Sequence, residues 1–134
     1  MTLKLDIVTP EGIAYSEDVE MVTLPGVEGE MGIYPEHVPL LTQVVPGEVI
    51  ARRQGREESL AVGEGFVQIT GRRVAITTDM ALRAESIDEA KVEEARRRAE
   101  ARLAEHLEDE EAAMVNAALA HSMALLKVKR RQRR

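Results

Sequence analysis

Arg83-Ala84-Glu85-Ser86-Ile87-Asp88-Glu89-Ala90 divides this chain into two kinds of sequence. Upstream lie all nine glycines and all five prolines, between Pro10 and Gly71, and from Arg72 to Arg134 there is neither. A helix interior disfavours Gly by about 1 and Pro by about 3 kcal/mol. Turns between short strands, by contrast, recruit both residues. Ser86 with Glu89 three positions on is a capping-box pair and predicts a helix start with Ser86 as its cap. The octapeptide thus separates a strand-rich part, residues 1–85, from a helical part, residues 86–134.

Working upstream, short apolar runs alternate with turn formers. Leu3, Leu5 and Ile7 alternate with Lys4 and Asp6, and Val19, Met21 and Thr23 alternate with Glu20 and Val22. Val49-Ile50-Ala51, Ser59-Leu60-Ala61-Val62, Phe66-Val67-Gln68-Ile69 and Val74-Ala75-Ile76 follow, parted by Gln54-Gly55-Arg56, Gly63-Glu64-Gly65 and Thr70-Gly71-Arg72. Strands at this spacing predict an antiparallel sandwich or barrel.

Downstream, Ala95, Ala99, Leu103 and Leu107 recur every fourth residue, and the apolar pattern lapses at Glu108-Asp109-Glu110. A second stripe then carries Val115, Leu119, Ser122, Met123 and Leu126. Two helices, near 87–106 and 110–130, are expected to fold as an antiparallel hairpin. The fold class is α+β: an antiparallel β-sandwich followed by a two-helix hairpin. Alanine-rich stripes remove little apolar area from water, so the hairpin is expected to be weakly held and mobile.

Composition narrows the chemistry. With 134 residues there is room for one compact domain, or one with a small appendage. The absence of Cys excludes disulfides, thiolate metal sites and cysteine nucleophiles. Tyr15, Tyr34 and Phe66 are the only aromatics, too few to build a stacking platform for nucleobases. His37, His106 and His121 have no metal-ligand spacing, and no glycine-rich loop leads into a helix to cradle phosphate. A catalytic site and a metal site are therefore not expected. No apolar run reaches the roughly 18 residues of a membrane span, and the N-terminus has no export-signal pattern. Charge is polarised: residues 1–86 carry 14 acids and 7 bases, residues 87–134 carry 10 acids and 11 bases. Six of those bases, Lys127, Lys129, Arg130, Arg131, Arg133 and Arg134, fall in the last eight residues. Such a tail reads either as a nucleic-acid contact or as a solvated helix end favourable to the helix dipole.

The string Gly29-Glu30-Met31-Gly32-Ile33-Tyr34-Pro35-Glu36-His37-Val38-Pro39-Leu40-Leu41 closely resembles the G-E-x-G-I-x-P-x-H-x-P-L-L signature of the epsilon subunits of F-type ATP synthases. The sandwich-plus-hairpin layout is similar to that family along its whole length, and residues 83–90 look like its domain junction. The resemblance implies a non-catalytic central-stalk subunit of a proton-translocating complex. It would lie at the cytoplasmic face of a bacterial inner membrane and touch the membrane only through the complex. The sandwich would bind the gamma subunit and the polar loops of the c-ring. The helices would move from a folded-down form to one extended along gamma, reaching the alpha and beta subunits and blocking ATP hydrolysis.

The signature places Glu30 at the c-ring and His37 at gamma; from the residues alone each reads equally as a solvated turn residue. If the hairpin extends, the six tail bases would meet an acidic surface of the beta subunits. Some members hold ATP between the helices. Ile87, Asp88, Arg98 and Arg102 match that pattern, whereas Lys91 and Val92 replace its Arg-Ala pair, and His121 and Leu125 replace two arginines. Lys lacks the planar fork that grips phosphate, so at most a weak ATP site is implied and no cofactor is expected. Arg96, Arg97 and Arg98 read equally as a basic face paired with Glu93, Glu94 and Glu100. Two alternatives remain: an ATP-sensing binding module, and a nucleic-acid-binding protein acting through the tail.

Overall fold

The computed structural model describes residues 2–132. Ten strands come first: β1 (Leu3–Thr9), β2 (Gly12–Val19), β3 (Met21–Gly26), β4 (Gly29–Ile33), β5 (His37–Val44), β6 (Gly47–Arg53), β7 (Arg56–Val62), β8 (Gly65–Gly71), β9 (Arg73–Thr78) and β10 (Ala81–Arg83). A 3-10 turn at Ala84–Ser86 leads into α1 (Glu89–Leu103) and α2 (Asp109–Gln132). No described helix is long and apolar enough to cross a membrane.

The strands run in the order β10-β7-β6-β3-β5-β8-β9-β1-β2, with β4 paired to β3. Only Gly26 opposite Val44 joins β3 to β5, so the sheet bends there and closes into two layers. The predicted sandwich is present. Its described pairs are antiparallel with one exception, β1 beside β9 in parallel, which joins the first and ninth strands. Between the layers lie Leu3, Leu5, Ile7, Tyr15, Val22, Leu24, Val67, Ile69, Val74 and Ile76, all essentially inaccessible.

Two local expectations are corrected. Val19 and Val22 are buried while Met21 and Thr23 are half-buried, so no single strand runs from Val19 to Thr23. A bend at Glu20, whose N–H donates to Arg52 O at 2.8 Å, shifts the phase by one residue. Ser86 does not cap α1, because it ends the 3-10 turn. The cap is Asp88, whose carboxylate accepts from Lys91 N at 3.2 Å. Ile87, between them, is buried.

The helices form the expected hairpin, with α1 shorter than expected at both ends, Glu89 to Leu103, and α2 slightly longer, Asp109 to Gln132. Asp109, Glu110 and Glu111 in the first turn of α2 and Lys129, Arg130 and Arg131 in its last turn both complement the helix dipole. Ser122 and Leu126 are buried as the stripe predicted, but Met123 is 53% exposed. A second face of α2, with Leu125 and Val128, packs on the outer side of β6 and β7 around Ala61.

Ion pairs lace the hairpin. Arg96 binds Glu93, and Glu100 at 2.7 Å, while Arg130 of α2 reaches Glu93 at 2.9 Å and Glu89 at 3.1 Å. The Arg96 hydrogen bond, helped by Arg130, holds the Glu93 carboxyl below its ordinary value. A depressed carboxylate supports the fold above its unfolded pKa, about 4.3 for Glu, and that support disappears as pH falls through the lower folded value. Glu93→Gln is therefore expected to lower the hairpin's melting temperature at pH 7 and to have no effect at pH 2, measured by helical circular dichroism. An equal effect at both pH values would contradict this.

Candidate interaction surface

The two outer faces of the sandwich differ. The β6–β7 face is covered by α2. The β5-β8-β9-β1-β2 face presents a continuous row of register partners: Gln43, Phe66, Thr77, Val8 and Ile13. Strand alternation puts Val67 and Ile69 inside and therefore Phe66 and Gln68 outside. Phe66 is 59% exposed, Val8 37% and Ile13 72%, and Leu41, diagonal to Phe66, is 70% exposed. A bulge between Ile7 and Val8 keeps Tyr15 inside while turning Ile13 outward beside Val8.

The next row on this face, Leu41, Gln68, Ala75, Asp6 and Ser16, is more polar, with Ser16 donating to Asp6 at 2.6 Å. Beyond it lie Lys4, Arg73 and Asp18, with Arg73 bonded to Asp6 at 3.3 Å. The face thus grades from charged to apolar across three rows. An exposed apolar row rimmed by polar groups is what a protein partner buries.

The signature residues flank this face along β5. Glu30, opposite Pro25 near the tip of the β3–β4 hairpin, is exposed and lines a shallow groove of about 230 Å³ with Val27, Glu28, Met31, Leu40 and Thr42. His37 begins β5 opposite Gly71, with Nδ1 2.7 Å from Val38 O. Val38 is 76% exposed because the ladder is irregular between His37 and Leu40. Glu36 enters β5 with φ +66°, its carboxylate on Arg72 at 3.0 Å. A non-glycine residue in that region is strained and is held by its surroundings.

The residues matched to the ATP pattern do not converge on one point. Ile87 is buried in the cluster of Ala61, Ala84 and Val128, and the Asp88 carboxylate caps α1. Arg98 and Arg102 lie some 15 and 20 Å further along the helix at about 1.5 Å per residue. They line a shallow, mainly apolar slot of about 420 Å³ with Ala95, Ala99, Met114 and Val115. Arg102 is bonded to Glu111 at 3.1 Å and Arg98 lies 3.7 Å from Glu94.

The basic tail is partly engaged with the rest of the chain. Lys129 Nζ donates to Ala84 O at 3.3 Å, Arg130 binds Glu89 and Glu93, and Arg131 binds Glu48 at 2.6 Å. Lys127 is exposed, and Arg133 and Arg134 lie outside the described residues. Sequence reading missed Leu41, Val8 and Ile13 as surface groups. It also missed Glu48 and Asp79, which contact α2. Phe66 was findable, since it stands out of phase with Val67 and Ile69.

Residues 2–84 match the family model described as the ATP synthase delta/epsilon chain beta-sandwich domain, and residues 85–130 match that of the long alpha-helix domain. The ATP synthase epsilon chain of Dehalococcoides mccartyi is 44% identical over 133 residues, covering 98% of this chain and 95% of the relative. That of Herpetosiphon aurantiacus is 39% identical, covering 99% and 98%. A chain of the Euglena gracilis mitochondrial ATP synthase (OSCP/F1/c-ring) has a similar fold, with a TM-score of 0.78 at 24% identity over 92% of this chain and 79% of that one.

Proposed function

Given that the chain belongs to the ATP synthase epsilon-chain family, we propose that it is the non-catalytic rotor subunit that joins gamma to the c-ring. In this reading, residues 1–85 carry assembly and residues 86–134 carry regulation. The observation that supports it best is the division of the sandwich's two outer faces. One is occupied by the chain's own α2, and the other displays the Phe66 row with no covering element among the described residues. Gamma is the partner fitted to that row, with His37 at its margin. The Glu30 groove faces the c-ring, and the complex sits on the cytoplasmic side of the membrane.

In its extended form the hairpin would meet the alpha and beta subunits and block hydrolysis. Lys129, Arg130 and Arg131 would then have to exchange the partners they hold in the docked form. A chain ending at Ser86 is expected to bind gamma as the full chain does, and the complex containing it is expected to hydrolyse ATP faster. Calorimetry and a coupled hydrolysis assay measure the two effects. Loss of gamma binding in that chain would refute the division of labour, and unchanged hydrolysis would refute the inhibitory role.

A further inference from the structure

We propose that Glu48 and Arg131 form a lock that holds the hairpin against the sandwich, and that breaking this pair is the step that frees α2. The consequence for hydrolysis rests on the reading above; the lock itself is a property of the isolated chain.

Glu48 lies on the outer side of β6 opposite Ala61 of β7, beneath the end of α2. Its side chain is 6% exposed, and Arg131 Nε donates to its Oε2 at 2.6 Å. The same guanidinium donates from Nη2 to Ser59 Oγ at 2.6 Å. A carboxylate covered in this way is tolerated only while it is paired. If Arg131 is removed, Glu48 stays buried and unpaired for as long as α2 is docked. Undocking relieves this, because it returns the carboxylate to water. The pair therefore favours two states, closed with both charges matched or open with both solvated.

The apolar contact beside it is small. Ala61, Ala84, Ile87 and Val128 are its buried members, with Leu82, Val92 and Leu125 at the margin. So little area leaves the polar ends of the contact a large say in whether α2 is seated. At the other end of that contact, ten residues or roughly 15 Å back along the helix, His121 Nε2 lies 3.2 Å from Asp79 Oδ2 on the loop after β9. Gly63 sits beneath this second clasp: a Cβ there would fall 1.9 Å from Asp79 Oδ1 and 2.8 Å from His121 Nε2. The helix is thus seated at two points, and the Glu48 end holds the more buried charge.

The chain has no Cys, so spin labels can be placed on Arg56→Cys in β7 and Lys127→Cys in α2, both exposed positions. Dipolar spectroscopy of the isolated full chain is expected to give one narrow distance. Arg131→Gln and Glu48→Gln should each add a broad, longer component, with the open-to-closed ratio raised about tenfold, which corresponds to about 1.4 kcal/mol. Glu48→Lys combined with Arg131→Glu should restore the narrow distance. Arg131 lies on α2 outside the sandwich core, so unfolding of the sandwich cannot account for its effect. Gly63→Ala should also open the hairpin, by dislodging Asp79 and His121. Retention of the parent distance by Arg131→Gln would overturn the lock. A widened distance with unchanged hydrolysis by the assembled complex would leave the lock standing and refute the regulatory reading instead.

Discussion

Phe66→Asp together with Leu41→Asp is expected to weaken binding of this chain to gamma by a hundredfold or more while leaving its melting temperature nearly unchanged. Both side chains already face water, at 59% and 70% exposure, so the isolated fold loses little when they become polar. In the complex Phe66 would lie in the apolar row that continues through Thr77 to Val8 and Ile13, with Leu41 diagonal to it in the next row. Truncating a central aromatic anchor typically costs about 2 kcal/mol or more, and each 1.4 kcal/mol is a factor of ten. Introducing two charges into the same dry contact adds their desolvation. Titration calorimetry against gamma measures the affinity, and circular dichroism checks the fold. An affinity within threefold of the parent would move the interface off this face.

Gly65→Ala has the opposite signature, a large loss of stability without any change in surface chemistry. A Cβ at Gly65 would lie 1.9 Å from Thr77 O, 2.8 Å from Thr77 C and 2.8 Å from Thr78 Cα. These are backbone atoms of β9 and cannot rotate aside as a side chain could. Gly65 opens β8 and is paired both with Val44 of β5 and with Thr78 of β9, so separation there loosens two ladders at once. Destabilisation of about 3–5 kcal/mol is expected, in the upper range for single substitutions. Denaturant unfolding measures it, and a loss below about 1 kcal/mol would mean that β8 and β9 can part freely. Gly63→Ala, two residues away, meets side-chain atoms instead and should loosen the hairpin while sparing the sandwich.

The alternation of Leu3, Leu5 and Ile7 survived intact because each residue's face is set by its immediate neighbours and one side of the strand is dry. The sandwich and the hairpin were legible for the same reason: turn formers and helix propensity act over a few residues. The errors fall where a distant group intervenes. Ser86 satisfied the local cap pattern, yet Ile87 is drawn into the cluster of Ala61 and Val128, so the helix starts two residues later, capped by Asp88. Val19 to Thr23 alternated in the text, but the bond from Glu20 to Arg52 of β6 broke the phase. Met123 fitted a stripe drawn for one buried face, whereas α2 buries two, one on α1 and one on the sheet.

For the candidate surfaces the boundary is sharper. Glu30 and His37 could be named from a string of thirteen residues, since that string spans β4, which carries Glu30, and the turn into β5, which His37 begins. The Phe66 row could not, because its members come from β5, β8, β9, β1 and β2 and become neighbours only through pairing, including the parallel contact of β1 with β9. Arg131 likewise read as one of six interchangeable tail bases, and only the packing of α2 sets it on a carboxylate 83 residues away. By itself the sequence determined that short strands precede two helices, the inward face of β1, the turn at the signature and the polarity of the tail. All of these are local and periodic properties. The tertiary structure alone decided which outer face stays open and which charges meet across it, because both depend on chain segments whose approach no short-range pattern encodes.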